Sequence, residues 1–369
     1  MAMGMGRGRF TIAALAAASC AGTAEAQEQG QQARPMRTPG EVRIYEENDY
    51  FNPFRKGSDR YYTQGIRFEW LSPPRARDRQ FLPGISHADW CSLVCGKGAQ
   101  DQDVNAGFAA GQNMYTPADI TIARPQPEDR PWAGLLYASR IARVSYLEPS
   151  LAAQRQDRIE VSLGLVGPAS LAKEGQIWWH EVIGADRPQG WDNQLRNEPV
   201  LQLRYETALR WPQENGGHGD VIARGRANLG NGLTSLEADV TGRIGWNLSG
   251  FGVQGIPFAP HAASAMKSQA SPERRTRWLA SGNLFLRAGI KGVAHNIVLD
   301  GNTFASNDIR IERTPFVPEI AAGVEVNLVG NFWATFQFIR RGSEFETSRG
   351  REAPAQEFGA LTIALLIGG

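Results

Sequence analysis

From residue 61 onward, apolar side chains recur at every second position, which is the period of a β-strand. In Tyr61 to Leu71, Ile66, Phe68 and Trp70 share one parity, and Thr63, Arg67 and Glu69 share the other. Leu201, Leu203, Tyr205, Leu209 and Trp211 alternate in the same way with Gln202, Arg204, Glu206 and Arg210. The grammar repeats with Ile159, Val161, Leu163 and Leu165 against Arg158, Glu160 and Ser162, and with Leu236, Val240, Ile244 and Trp246 against Glu237, Asp239 and Arg243. Further copies run through 284–290, 320–328, 332–338 and 361–367, with weaker ones at 41–48, 104–113, 134–147, 219–229 and 293–300. A soluble sandwich also alternates, but its strands average about five or six residues. Strands of about ten residues with one greasy and one charged face fit a barrel that is lipid-facing outside and polar inside. The pattern therefore predicts an all-β fold, a single transmembrane antiparallel β-barrel of about twelve strands, with Ile66, Phe68, Trp70, Leu201, Leu203 and Leu209 facing lipid.

Long segments at 72–103, 114–132, 254–277 and 340–357 are rich in Pro, Gly, Ser or charge and read as extracellular loops. One segment breaks the two-residue period. Between Ala169 and Ile183, Leu171, Ile177 or Trp178, and Val182 fall on one helical face after Gly167-Pro168, with Ser170 as the expected N-cap. The expectation is a short loop helix near 169–183, folded in toward the barrel and carrying His180. Two readings stand for it: Trp178 and Trp179 packed into the barrel mouth with His180 as a polar neighbour, or a catalytic base brought to the barrel wall. His87, His218, His261 and His295 lie in loops or at strand ends without comparable surroundings.

Charge narrows the picture. There are 39 Lys+Arg against 38 Asp+Glu, a net charge of +1, so no basic excess marks a nucleic-acid partner. No stretch approaches the roughly 20 apolar residues of a membrane-crossing helix. Arg7 and Arg9, the apolar run from Phe10 to Ala21, and Ala24-Glu25-Ala26 read as a signal peptide over 1–26, followed by a flexible lead-in over 27–40 and the barrel over 41–369. In an exported chain, Cys91 and Cys95 read as a small-loop disulfide. The chain ends Leu366-Ile367-Gly368-Gly369, without the C-terminal aromatic usual for such barrels, and no G-x-S-x-G surrounds any serine.

Several ordered words then carry a resemblance: Glu47-Asn48-Asp49, Ser58-Asp59-Arg60-Tyr61-Tyr62-Thr63-Gln64-Gly65, Gln112-Asn113-Met114-Tyr115-Thr116-Pro117, Asp129-Arg130-Pro131-Trp132-Ala133-Gly134, Gly164-Leu165-Val166-Gly167-Pro168 and His180-Glu181-Val182-Ile183-Gly184-Ala185-Asp186. Together they resemble the outer-membrane lipid A 3′-O-deacylase family, densely from about 41 to 200. The resemblance implies an outer-membrane enzyme, a monomer, acting on lipid A or lipopolysaccharide among outer-membrane lipids, with an active site between the barrel wall and a loop helix. It implies a histidine base at His180, with Asn48 as a further catalytic residue, and a bound Ca2+ with Asp49, Asp186 and Thr63 as its ligand set. At Asp186 the family pattern has Glu, so the carboxylate here is one methylene shorter. The residue types suit that chemistry. A neutral imidazole can take a proton from water, and a hard cation held by carboxylates can polarise an ester carbonyl. Arg124, Arg130 and Lys173 are candidate partners for lipid A phosphates. An outer-membrane phospholipase, an inactive barrel and a narrow channel are the alternatives.

Overall fold

Twelve long strands form because each holds to one parity of apolar residues, and only a closed sheet leaves no unpaired edge in lipid. The computed structural model describes residues 39–52, 59–75, 79–99, 102, 104–212, 218–248, 250–254, 263–264, 279–306, 309–328, 331–347 and 350–367. The expected leader, and all but the end of the expected lead-in, lie outside the described residues. The barrel strands are β1 (Gly40–Asn48), β2 (Tyr61–Leu71), β3 (Asn105–Thr116), β4 (Ala133–Glu148), β5 (Ala153–Val166), β6 (Glu198–Pro212), β7 (Gly219–Gly230), β8 (Leu233–Trp246), β9 (Leu279–Asn296), β10 (Phe316–Leu328), β11 (Phe332–Arg341) and β12 (Gln356–Ile367). Each pairs antiparallel with the next, and β12 returns to β1 with Gly40 opposite Ile367 and Asn48 opposite Gly359.

The two segments expected at 284–290 and 293–300 are one strand and a helical turn. β9 runs through both as far as Asn296, and α3 (Ile297–Asp300) follows. A register shift opposite Thr234 and Ser235 changes the parity of β9 there, so the apolar period breaks inside a continuous strand.

Parity falls as the alternation requires. Ile66, Phe68, Leu201 and Leu203 are exposed on the outer wall, and Trp70 and Leu209 are half-buried with the same parity. The inner wall is charged, and its charges are paired. Arg67 reaches Glu69 at 2.8 Å and Glu160 at 2.9 Å, and Arg226 reaches Glu206, Glu237 and Asp239 at 2.8, 3.0 and 2.8 Å. These side chains are buried, and buried ions persist only when paired and hydrogen-bonded. Such packing of described lumen side chains gives the narrow-channel alternative no support.

Antiparallel connections alternate between the two ends, which corrects the loop expectation. The segments 117–132 and 342–355 lie at one end with the 167–197 connection. The strands that open the 72–104 and 247–278 connections end at the other, at Leu71 and Trp246, the end that also holds the strand ends Gly40 and Ile367. Within 72–104, α1 (His87–Val94) begins with a Ser86–Asp89 capping box. It packs Trp90 and Cys91 with Ala142, Val144 and Tyr146 of β4. Cys91 and Cys95 are disulfide-bonded, their Cα atoms 4.8 Å apart across the end of this helix. Thiol labelling of the unreduced, denatured mature chain should therefore leave both unmodified, and full modification of both would refute the bond.

Candidate active site

The loop helix α2 (Ala172–Ile183) starts after a turn in which Leu171 adopts a left-handed φ of 59°, and it ends at Gly184, whose φ of 68° suits glycine. Ser170 is not its cap. Its hydroxyl donates to the Gly167 carbonyl at 2.6 Å, and Leu171 stands at the N-cap with no side-chain bond. The predicted apolar face is inverted as well. Ala172, Gln176 and His180, one turn apart, are buried against the barrel, whereas Trp178 and Val182 are 63% and 60% exposed.

The helix lies on the outer face of the wall rather than inside the mouth. Gln112 and Met114 share the outward parity of Phe108, and Gly134 that of Leu136. Gln112 Nε2 donates to the Ser170 carbonyl at 2.5 Å, and a Cβ on Gly134 would sit 2.3 Å from that of Ala172. Only a glycine at 134 lets the start of α2 approach the wall so closely. The reading that buries Trp178 in the mouth is thereby corrected: a polar inner wall and a lipid surround turn the apolar stripe outward.

Beneath α2, the ends of β1, β2 and β3 assemble the polar groups. Asn48 ends β1 and caps the 3-10 turn Asp49–Phe51, its side-chain oxygen accepting from Tyr50 N at 2.8 Å. Asp49 is buried and accepts from Arg60 N at 3.1 Å. A register shift between Tyr62 and Gln64 marks a bulge at Thr63, which brings its hydroxyl to the Thr116 hydroxyl at 2.8 Å. Thr116 Oγ1 donates to the Asp59 carbonyl at 2.6 Å, so Thr63 supplies the hydrogen between the two threonines. Asp59 and Tyr61 both hold positive φ, 43° and 74°, in this tethered turn.

The turn aims the Asp59 carboxylate at His180, with Oδ1 3.2 Å from Nε2. Nδ1 of the same ring is hydrogen-bonded to the Asp186 carbonyl. Burial of the ring disfavours its charged form. The bonds to Asp59 and to the Asp186 carbonyl, with the charges of Asp59 and Asp49, outweigh it and raise the His180 pKa above the ordinary histidine value. His180, Asp49 and Asp59 therefore form one electrostatic unit.

Sequence reasoning placed Asp186 in this unit by its carboxylate. The structure instead exposes that side chain and engages its backbone oxygen. Asp59 belongs to the Ser58–Gly65 motif, and its role is not legible there because it depends on a turn 121 residues from the histidine. Thr63 is present but bonded to Thr116. Among the phosphate candidates, Arg124 is exposed, whereas Lys173 pairs with Asp192 at 2.6 Å. Arg130 is buried, pairs with Glu344 at 2.8 Å and stacks over Tyr115 at 4.9 Å. Against the cost of burial, Arg341 and Arg130 hold the Glu344 carboxyl well below the usual range.

Calcium takes oxygen ligands, including carbonyls and water. The carboxylates of Asp49 and Asp59, with neighbouring carbonyl oxygens, suit such a cation in donor chemistry. Among the described residues no group of three or more His, Cys, Asp or Glu forms a metal-holding cluster, so protein carboxylates alone do not complete a site.

Residues 10–366 match the model of the family described as outer membrane protein LpxR. The chain belongs to that family. LpxR from Salmonella typhimurium is similar in fold, with 16% identity and a TM-score of 0.65 over 89% of this chain and 100% of that one. The β domain of the Bordetella autotransporter BrkA aligns with 8% identity and a TM-score of 0.41 over 89% and 98% of the two chains. No curated protein matches. As a member of the LpxR family, with its closed barrel of twelve strands, the chain is an outer-membrane protein.

Proposed function

We propose that the protein is a calcium-dependent lipid A deacylase that hydrolyses the 3′-linked acyl or acyloxyacyl ester by a water activated at His180. The observation that carries this reading is a buried histidine oriented at both ring nitrogens, between the outer wall and a helix whose exposed side bears Trp178, Val182 and Ile183. A lipid substrate reaches such a site from the membrane plane. Family membership supports the lipid A class.

The Asp186 carbonyl and the Asp59 carboxylate can both only accept, so the two contacts together belong to the imidazolium; in the neutral ring Nδ1 keeps its hydrogen toward the carbonyl, and Nε2 gives up the Asp59 bond and offers its lone pair. Nε2 takes a proton from water, and the resulting hydroxide adds to the ester carbonyl carbon. When the tetrahedral intermediate collapses, the imidazolium returns that proton to the departing sugar oxygen, releasing the fatty acid. Asp59 stabilises the imidazolium between these steps, and the Asn48 amide donates to the developing oxyanion. Asp49 and Asp59, aided by nearby carbonyl oxygens, would hold the calcium ion, which would supply Lewis-acid stabilisation of the charge that develops on the ester. Arg124, Arg130 and Lys173 remain the proposed phosphate contacts, the latter two by exchanging Glu344 and Asp192 for the ligand.

Mass spectrometry of lipid A from cells with and without the protein tests the reaction. Loss of a 3′-linked acyl group only when the protein is present is expected, and unchanged lipid A refutes it. Within this mechanism, Asp59→Asn should lower turnover on the order of 10²-fold, the cost of a misoriented catalytic group, with substrate KM little changed. Wild-type turnover in that variant would remove Asp59 from the mechanism.

A further inference from the structure

A cavity of about 920 Å³, apart from the His180 site, lies at the helix end of the barrel among the connections 117–132 and 191–196, Ser306, Ile309 and Arg310, and the first turn of α2. Its volume falls within the range of small-molecule sites. His180, Asp49 and Asp59 do not line it. Trp132 and Trp191 form part of its wall, their rings 4.9 Å apart.

The polar lining sets the ligand class. Arg130 and Lys173 already carry acidic partners, and Asp129 is taken up by the backbone amides of Ala118 and Arg130. Arg196 and Arg310 are exposed and form no ion pair with a described residue, so they ask for an anion. Gln194 also lines the cavity, and its Oε1 is a buried acceptor with no hydrogen-bond partner among the described residues, so it asks for a donor. A bare phosphate dianion meets the first need and not the second. An acidic sugar brings both, a negative group for the guanidiniums and hydroxyls for the amide oxygen.

We propose that this cavity binds an acidic saccharide. On the deacylase reading, that saccharide is the sugar portion that extends from the lipid A headgroup into water. The placement suits this: Lys173 in the cavity and His180 at the wall are seven residues apart on one helix, about 10 Å along its axis. The two sites are also wired together. Trp191 Nε1 donates at 2.7 Å to Gln176, which precedes His180 by one turn on the buried face.

The test titrates detergent-solubilised full-length protein with the delipidated acidic core oligosaccharide of lipopolysaccharide, read by calorimetry, with a neutral oligosaccharide and inorganic phosphate as controls. Saturable binding of the acidic saccharide is expected, weakened by salt. A chain carrying both Arg196→Ala and Arg310→Ala should bind at least about tenfold more weakly, and Gln194→Leu should also weaken binding without changing charge. No saturable binding by the wild type, equal affinity for phosphate, or unchanged affinity in both variants overturns the proposal. Wild-type protein that binds the saccharide yet leaves lipid A intact overturns the deacylase reading and leaves this site standing.

Discussion

Replacing His180 by Asn should leave a folded barrel in the membrane that deacylates lipid A about 10² to 10⁴ times more slowly, the range expected for loss of a positioned general base. Asparagine removes little volume, and its amide can still donate to the Asp186 carbonyl, so the contact that seats the ring on α2 is kept. What disappears is a group that can accept a proton near neutral pH. The fall should appear in kcat and kcat/KM together, because proton transfer belongs to the transition state and not to substrate binding. Heat-modifiable migration on gels checks the fold, and quantified release of fatty acid checks the rate. A folded variant working at the wild-type rate would overturn the mechanism. Wild-type protein that cleaves only glycerophospholipids would keep the mechanism and overturn the substrate.

Chelation of calcium should abolish hydrolysis, and added calcium should restore it. Asp49→Ala should resist rescue at calcium concentrations that saturate the wild type, because it removes a buried carboxylate from an oxygen donor set that has few to spare. Asp186→Ala should behave differently. The side chain is exposed, and the substitution keeps the backbone carbonyl that holds Nδ1, so turnover should fall far less than in Asp49→Ala. Equal losses in the two variants would return the Asp186 carboxylate to the metal, as the sequence pattern had it. Undiminished activity in excess chelator would refute a catalytic metal.

The barrel was readable from sequence because strand parity is a local property. In Tyr61–Leu71 and Leu201–Trp211 the alternating parity of Ile66, Phe68 and Trp70, and of Leu201, Leu203 and Leu209, faces lipid whatever the rest of the chain does, and the count of about twelve follows from adding such segments. The ordered motifs likewise put Asn48, Asp49 and His180 forward, and all three are buried at the helix end of the barrel. Parity alone failed where a bulge intervened, splitting β9 into two expected strands. It also could not tell which end each loop occupies, since that depends on counting every strand between.

The face of α2, the placement of Asp186 and the partnership of Asp59 with His180 were decided only by tertiary structure. A helical stripe of Leu171, Trp178 and Val182 would point to a core in a soluble protein, but here the apolar medium lies outside and the polar surface is the protein. His180 meets Asp59 because a bulge at Thr63, a threonine pair and a left-handed turn aim one carboxylate across 121 residues of chain. No local pattern encodes that convergence. It exists only once β1, β2 and β3 are in register and α2 is laid over them.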